Sequence, residues 1–377
     1  MTQTAPGAGG SGPPPDVLLD VAGLEVWYGP EQAGGVRAVR DATFTVHKGE
    51  VVGIAGESGS GKSTLAFAIA RLLRGNGHIT GGSVRWFGAS AGAPADGLDL
   101  VTASDETLRK IRWRGVSIVL QSAMSAMNPV LSVRNQIDDV LRAHEPGLSR
   151  RQRTSRIASL LEMVGIPARR STAYPHELSG GMRQRAMIAM ALALSPQLVI
   201  LDEPTTALDV VMQRQILERL TELQDDLGFA VVFITHDLSL LLEVSDETLV
   251  MYAGTVVEKA RARELYESPR HPYSIGLLRS FPKVAGERQE LLGIPGSPPN
   301  LRELPSGCAF HPRCPQAMPR CEREVPQLTW RTPAGEGAAR EVACLLYGDG
   351  GGPQAGQRSA ATGAVGRVSG EGNAVRS

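Results

Sequence analysis

The chain has 377 residues, long enough for one large domain plus an appendix or for two modest domains. Lys+Arg and Asp+Glu each number 39, so the formal charge is zero and nothing in the balance calls for nucleic acid or an anionic surface as partner. No run of about 18 apolar residues is present, and the start, rich in Gly, Pro and Ala, lacks the basic patch and apolar segment of a secretory leader, so the expectation is a cytoplasmic chain that does not itself span a membrane.

Residues 1–15 and 348–377 lack apolar periodicity and are expected to be disordered tails, because they cannot bury enough surface to offset ordering entropy. From 17 to 55 the pattern is β-like: Leu24, Val26 and Tyr28 alternate, as do Ala42, Phe44 and Val46, and Val51–Ala55 is a continuous apolar run. A Gly-rich loop follows, then a helix carrying Leu65, Ile69, Leu72 and Leu73. Residues 116–120 read as a strand ending at Gln121, and a helix-rich insert occupies about 122–185. Strands at 198–201 and 230–234 flank an amphipathic helix from 209 to about 226, with Val211, Ile216, Leu220 and Leu223 at helical spacing. This alternation predicts an α/β sheet core with crossover helices. Beyond about 255 the composition turns to Pro, Arg and Cys, and a second small module is placed at 266–347.

The string Gly56-Glu57-Ser58-Gly59-Ser60-Gly61-Lys62-Ser63-Thr64 follows an apolar strand and precedes a helix, the context that marks a phosphate loop. Its glycines let backbone N–H groups approach phosphate oxygens, and the helix N-terminus adds its positive end. In that chemistry Lys62 bridges the β- and γ-phosphates and the Ser63 hydroxyl ligates Mg²⁺. The apolar strand at 198–201 ends in Asp202 and Glu203. Carboxylates at the end of a buried strand need a cation or water, so Asp202 is expected to hold Mg²⁺ and Glu203 to deprotonate an attacking water. Between these strings lies Leu178-Ser179-Gly180-Gly181-Met182, which opens a helix and offers a second positive N-terminus.

In this order the strings resemble the ATP-binding-cassette (ABC) ATPases over residues 16–265. The resemblance implies a RecA-like core, an antiparallel β portion and an α-helical lobe, with 178–182 as the family signature. There Ser179, Gly180 and Gly181 contact the γ-phosphate held by a facing subunit. It further implies that Tyr28, with Trp27 as the adjacent candidate, stacks on adenine. Gln121 senses Mg²⁺ and the attacking water and couples to the membrane subunits. Asp209, in Ala207-Leu208-Asp209, communicates across the dimer, and as a plain N-cap it would serve its own helix as well. His236, after the strand ending at Thr235, contacts the γ-phosphate.

Longer strings narrow the branch. Residues 174–185 (YPHELSGGMRQR), 203–210 (EPTTALDV), 269–274 (PRHPYS) and 307–314 (GCAFHPRC) resemble the oligopeptide/dipeptide/nickel importer ATPases, and Met182 resembles the D-type subunit. That resemblance implies a heterodimer with an F-type ATPase, two integral membrane permease subunits and, indirectly, an extracytoplasmic solute-binding protein. Peptides are the expected cargo, with nickel or another small solute as alternative and a soluble non-transport ABC ATPase as a further one. The four cysteines, Cys308, Cys314, Cys321 and Cys344, all fall in the terminal module and contain no C-x-x-C pair. Four thiolates suit a [4Fe–4S] cluster; zinc and free buried thiols are the alternatives.

Overall fold

The structure is a computed structural model that describes residues 16–31, 34–89, 94, 96–120, 126–205, 208–280, 293–330 and 340–347. The two expected tails and Gln121 lie outside the described residues, as does Ala207. In chain order the described strands are β1 (Val17–Tyr28), β2 (Val36–His47), β3 (Val51–Ala55), β4 (Gly77–Trp86), β5 (Leu98–Asp99), β6 (Val116–Val119), β7 (Leu198–Asp202), β8 (Ala230–Ile234), β9 (Glu247–Tyr252), β10 (Thr255–Arg261), β11 (Thr329–Trp330) and β12 (Glu341–Val342).

They form two sheets. One is antiparallel, in the order β2-β1-β4-β5. The other runs β11-β12-β10-β9-β3-β8-β7-β6 and is parallel from β9 to β6. Every residue of β7 and β8 is buried, which is why their sequences read as unbroken apolar runs rather than alternations. Period-2 geometry sends successive side chains to opposite faces. Leu198, Ile200, Val232 and Ile234 accordingly join a core with Leu65, Phe44 and Trp86, beneath the antiparallel sheet. Val199, Leu201, Val231 and Phe233 join a second core on the other face, with Ile137, Leu160, Ile188 and Leu220.

The helices are α1 (Lys62–Ile69), α2 (Asp105–Ile111), α3 (Val133–His144), α4 (Arg150–Met163), α5 (Gly180–Ala191), α6 (Val210–Leu227), α7 (Leu238–Val244), α8 (Ala262–Glu267) and α9 (Pro272–Arg279). Helices α3, α4 and α5 pack on one another. Each has a serine N-cap, Ser132, Ser149 and Ser179, whose hydroxyl accepts a first-turn N–H. The helix after the Gly-rich loop is shorter than its apolar spacing predicts. It stops at Ile69 because Arg71 takes a left-handed φ of 54°, so Leu72 and Leu73 pack on the core from outside the helix.

The terminal region adds strands to the larger sheet: β12 pairs with β10, and β11 with β12. Its anchor is His271, the N-cap of α9, whose Nδ1 accepts the Tyr273 N–H at 3.1 Å. The buried Glu258 carboxylate of β10 accepts the N–H groups of Arg270 (2.8 Å) and His271 (2.9 Å). Burial pushes the His271 pKa down to about 3, because a charged imidazolium has no place in a dry site. The unfolded chain therefore binds a proton near pH 6.5 that the folded chain refuses, and stability is lost as pH falls from that value toward about 3. The loss amounts to roughly 1.4 kcal/mol per pH unit within the window. Burial raises the Glu258 pKa, which contributes with the opposite sign, so stability is lost as its carboxyl ionises at higher pH. Thermal melts of wild type and His271→Gln between pH 7 and pH 5 separate the two, and the wild type is expected to lose stability more steeply. Equal slopes would show that His271 titrates normally in the fold.

Candidate ATP site

The Gly-rich loop leaves β3 and enters α1, as its sequence requires. Gly56 (φ 150°) and Gly61 (φ 102°) cannot be replaced without collision: a Cβ at Gly56 would lie 2.2 Å from the Met251 carbonyl oxygen, and one at Gly61 2.3 Å from that of Ala38. The loop is fastened to both sheets, since Gly254 donates to the Ser60 carbonyl (3.0 Å) and Arg40 donates to the Gly254 carbonyl (2.8 Å).

Lys62 is buried within the loop it follows. Its Nζ donates to the carbonyls of Gly56 (2.7 Å) and Glu57 (2.9 Å) and reaches the Ser60 hydroxyl at 3.5 Å. Burial lowers its pKa, and the charges of Glu203, Asp202 and Glu57 act against that fall. The Ser63 hydroxyl donates to Asp202 Oδ1 at 2.9 Å. Burial raises the Asp202 pKa, against the Ser63 hydrogen bond. A buried carboxylate and a hydroxyl meeting at one point are oxygen donors of the kind a hard divalent cation takes, so the pair fits Mg²⁺.

Glu203 leaves β7 with a left-handed φ of 47°, and its N–H donates to the Ile234 carbonyl at 2.8 Å. This kink at the strand end is the sort of backbone strain that recurs at active sites. Its Oε1 lies 3.6 Å from Nδ1 of the half-exposed His236. Glu57, Ser58, Glu203 and His236 share the wall of one cavity, of about 620 Å³, whose other side is formed by Leu277, Ser280, Ile294 and Pro298 of the terminal region.

The remaining candidates lie elsewhere in the fold. Ser179 is exposed and caps α5, with Gly181 packed under Met212 of α6. Asp209 caps α6 by accepting the Met212 N–H at 2.9 Å. Tyr28 ends β1 half-buried, its ring against Gly77, where a Cβ would come within 2.7 Å of it. Cys308, Cys314, Cys321 and Cys344 are free thiols lining one small cavity together with His271 and Phe310. Burial raises the pKa values of Cys308 and Cys314 and pushes that of Cys344 up to about 12. Among the described residues no three His, Cys, Asp or Glu side chains are spaced as a closed metal site. Reading the sequence assigns no site role to Arg313 or Tyr273, which meet the Gly-rich loop at Glu57, or to Tyr252, whose hydroxyl accepts a hydrogen bond from Arg313.

A phosphate loop with its lysine, a Ser–Asp pair for a divalent cation and a second acid at the strand end define the nucleotide site of a P-loop ATPase. Residues 39–206 match the family model described as ABC transporter, and residues 257–321 match that described as Oligopeptide/dipeptide transporter, C-terminal region. The chain is 45% identical to the oligopeptide transport ATP-binding protein OppD of Salmonella typhimurium, over 83% of this chain and 90% of that one. It is 44% identical to the dipeptide transport ATP-binding protein DppD of Escherichia coli, over 82% of this chain and 92% of that one. Among solved structures, the ATP-binding cassette MJ0796, in a dimeric post-hydrolysis state bound to ADP and Pi, superposes with a TM-score of 0.56 at 27% identity, covering 65% of this chain and 99% of that one.

The chain belongs to the oligopeptide/dipeptide/nickel importer family of ABC-transporter ATP-binding subunits. Its fold is the RecA-like ABC cassette, its activity is ATP hydrolysis with Mg²⁺, and it works within a multi-subunit importer. Among the described residues no helix is long and apolar enough to cross a membrane.

Proposed function

We propose that the chain is one of two ATPase subunits driving a di- or oligopeptide importer, bound peripherally at the cytoplasmic face of the inner membrane. The observation that carries this reading is the meeting of Lys62, Ser63, Asp202 and Glu203 where β3 and β7 end, in a chain whose terminal region matches a peptide-transporter family. The ATPase domain is assigned to 16–265, with the helical insert at about 122–185, and the terminal module to 266–347, between tails 1–15 and 348–377.

Lys62 binds the β- and γ-phosphates, and the backbone of residues 56–64 surrounds them. Ser63 and Asp202, joined by Gln121, hold Mg²⁺, which when bound neutralises phosphate charge. Glu203 takes the proton of the attacking water, and His236 steadies the γ-phosphate. Tyr28 stacks on adenine. Ser179, exposed at the head of α5, meets with Gly180 and Gly181 the nucleotide of a facing F-type subunit, and Asp209 joins the two halves. ATP then favours the closed pair over the open one, and that difference moves two permease subunits. A solute-binding protein outside the cell selects the cargo. The cassette MJ0796 is described as dimeric, which supports the facing arrangement. Nickel or another small solute is the alternative cargo.

The cysteines fit a [4Fe–4S] cluster in number and chemistry, lining one cavity in which burial raises the pKa values of Cys308, Cys314 and Cys344. Among the described residues no three of them are spaced as a closed site. Affinity capture of the chain from its own membranes, under exclusion of air, tests both assignments. Two integral membrane permeases, a second ATPase, iron and acid-labile sulfide are expected. A chain captured alone would overturn the transport reading, and a colourless, iron-free chain would overturn the cluster.

A further inference from the structure

The most unusual contact of the phosphate loop comes from far along the chain. Glu57 occupies the first variable position of the loop, next to Gly56, and its charge reaches the Lys62 ammonium. Arg313 grips its carboxylate with both ends of the guanidinium, Nη1 to Oε2 at 2.7 Å and Nη2 to Oε1 at 3.0 Å. The arginine is itself held in place: Nε donates to the Pro295 carbonyl (2.8 Å), Nη2 to that of Gly296 (3.3 Å) and Nη1 to the Tyr252 hydroxyl (3.3 Å). Its side chain is 6% exposed, that of Glu57 25%. A second contact fixes the same loop residue, since the Glu57 N–H donates to the hydroxyl of Tyr273 at 2.7 Å. Tyr252, Tyr273 and Phe310 pack ring against ring beneath this pair. All the partners except Tyr252 belong to the terminal region, and Arg313 sits in the turn that immediately precedes Cys314.

A carboxylate in a phosphate loop is an electrostatic liability, because it repels the polyanion the loop exists to bind. A buried, bidentate guanidinium removes that repulsion and orients the carboxylate away from free rotation. We propose that Arg313 is a positioning residue of the ATP site: the terminal module completes the phosphate loop by neutralising Glu57 and, through Tyr273, by fixing its first N–H. This rests on the reading of residues 56–63 as the ATP site. The terminal module is therefore part of the nucleotide site, and whatever orders the turn between Cys308 and Cys314 acts on ATP affinity. Arg313 touches no reacting atom.

The charge argument makes a prediction that a scaffold role does not. Arg313→Met leaves Glu57 unpaired beside the phosphates, so the KM for ATP and the Kd of a fluorescent ATP analogue are expected to rise about tenfold, with kcat changed less than about threefold. Adding Glu57→Gln to Arg313→Met removes the offending charge and is expected to recover most of that loss, with Glu57→Gln alone closing the cycle. The measurements use the full chain in its importer assembly. A double variant no better than Arg313→Met, or an Arg313→Met variant with wild-type KM, overturns the proposal. Should Arg313→Met fail to fold, Arg313→Lys carries the test: it keeps the charge and loses the fork, and its KM must rise by less than about threefold. An Arg313→Lys variant that folds and binds ATP more than about tenfold worse would show that the bonds to Pro295 and Gly296 matter rather than the charge. Failure of the wild-type chain to bind ATP at all would instead refute the site on which the inference rests.

Discussion

Glu203→Gln is expected to bind ATP as the wild type does while hydrolysis falls by about 10²–10⁴-fold, the usual worth of a general base. The amide keeps the size and the oxygen of the carboxylate but cannot accept a proton from water. The backbone that aims the side chain is independent of it, since the left-handed kink and the N–H bond to Ile234 remain. The lost negative charge bears on binding in two ways. It removes the largest of the acidic influences that keep Lys62 protonated, and it relieves repulsion toward the triphosphate. These oppose each other, so affinity holds. Single-turnover hydrolysis beside nucleotide binding measures both quantities. Turnover within about threefold of wild type would remove Glu203 from the role of base.

Lys62→Ala is expected to act on binding itself. Its ammonium is buried between two carbonyls of its own loop and faces Asp202 and Glu203, so it is the local cation toward which phosphate oxygens are drawn. Hydrogen bonds to charged groups are worth about 1.5–3 kcal/mol each, so losing one or two lowers ATP affinity on the order of 10²-fold. The loop also loses the bridge between the Gly56 and Glu57 carbonyls, which adds to the effect. Equilibrium binding of ATP to the variant measures it, and affinity within about threefold of wild type would contradict the placement.

Much of this site was legible in the sequence because its signals are local. An apolar run, a glycine loop, a lysine and a helix lie within twenty residues, and strand β7 ends in its two acids without interruption. Asp209 was readable both as a cap and as a functional loop residue, and the cap is present. Strands with weaker signals escaped. In β4 the three glycines, and the lack of any buried residue before Val84, blur the apolar alternation. The β9–β10 hairpin turns on Ala253 and Gly254, both with positive φ, a two-residue turn whose first position gives no Gly or Asn signal. The same hairpin carries the sheet toward β12, so the compositional shift near 255 falls inside a strand pair rather than at its edge. The Arg313–Glu57 pair spans 256 positions, and no periodicity or spacing rule reaches that far. Only the folded chain brings the terminal turn onto the loop.

In the proposed function, ATP held at Lys62 and Asp202 joins this chain to a facing ATPase through the head of α5, where Ser179 is exposed. The direct measurement is the solution mass of the Glu203→Gln chain with its sister ATPase, with and without ATP and Mg²⁺. A closed pair with nucleotide and separate chains without it is expected; the same mass under both conditions would contradict nucleotide-driven pairing.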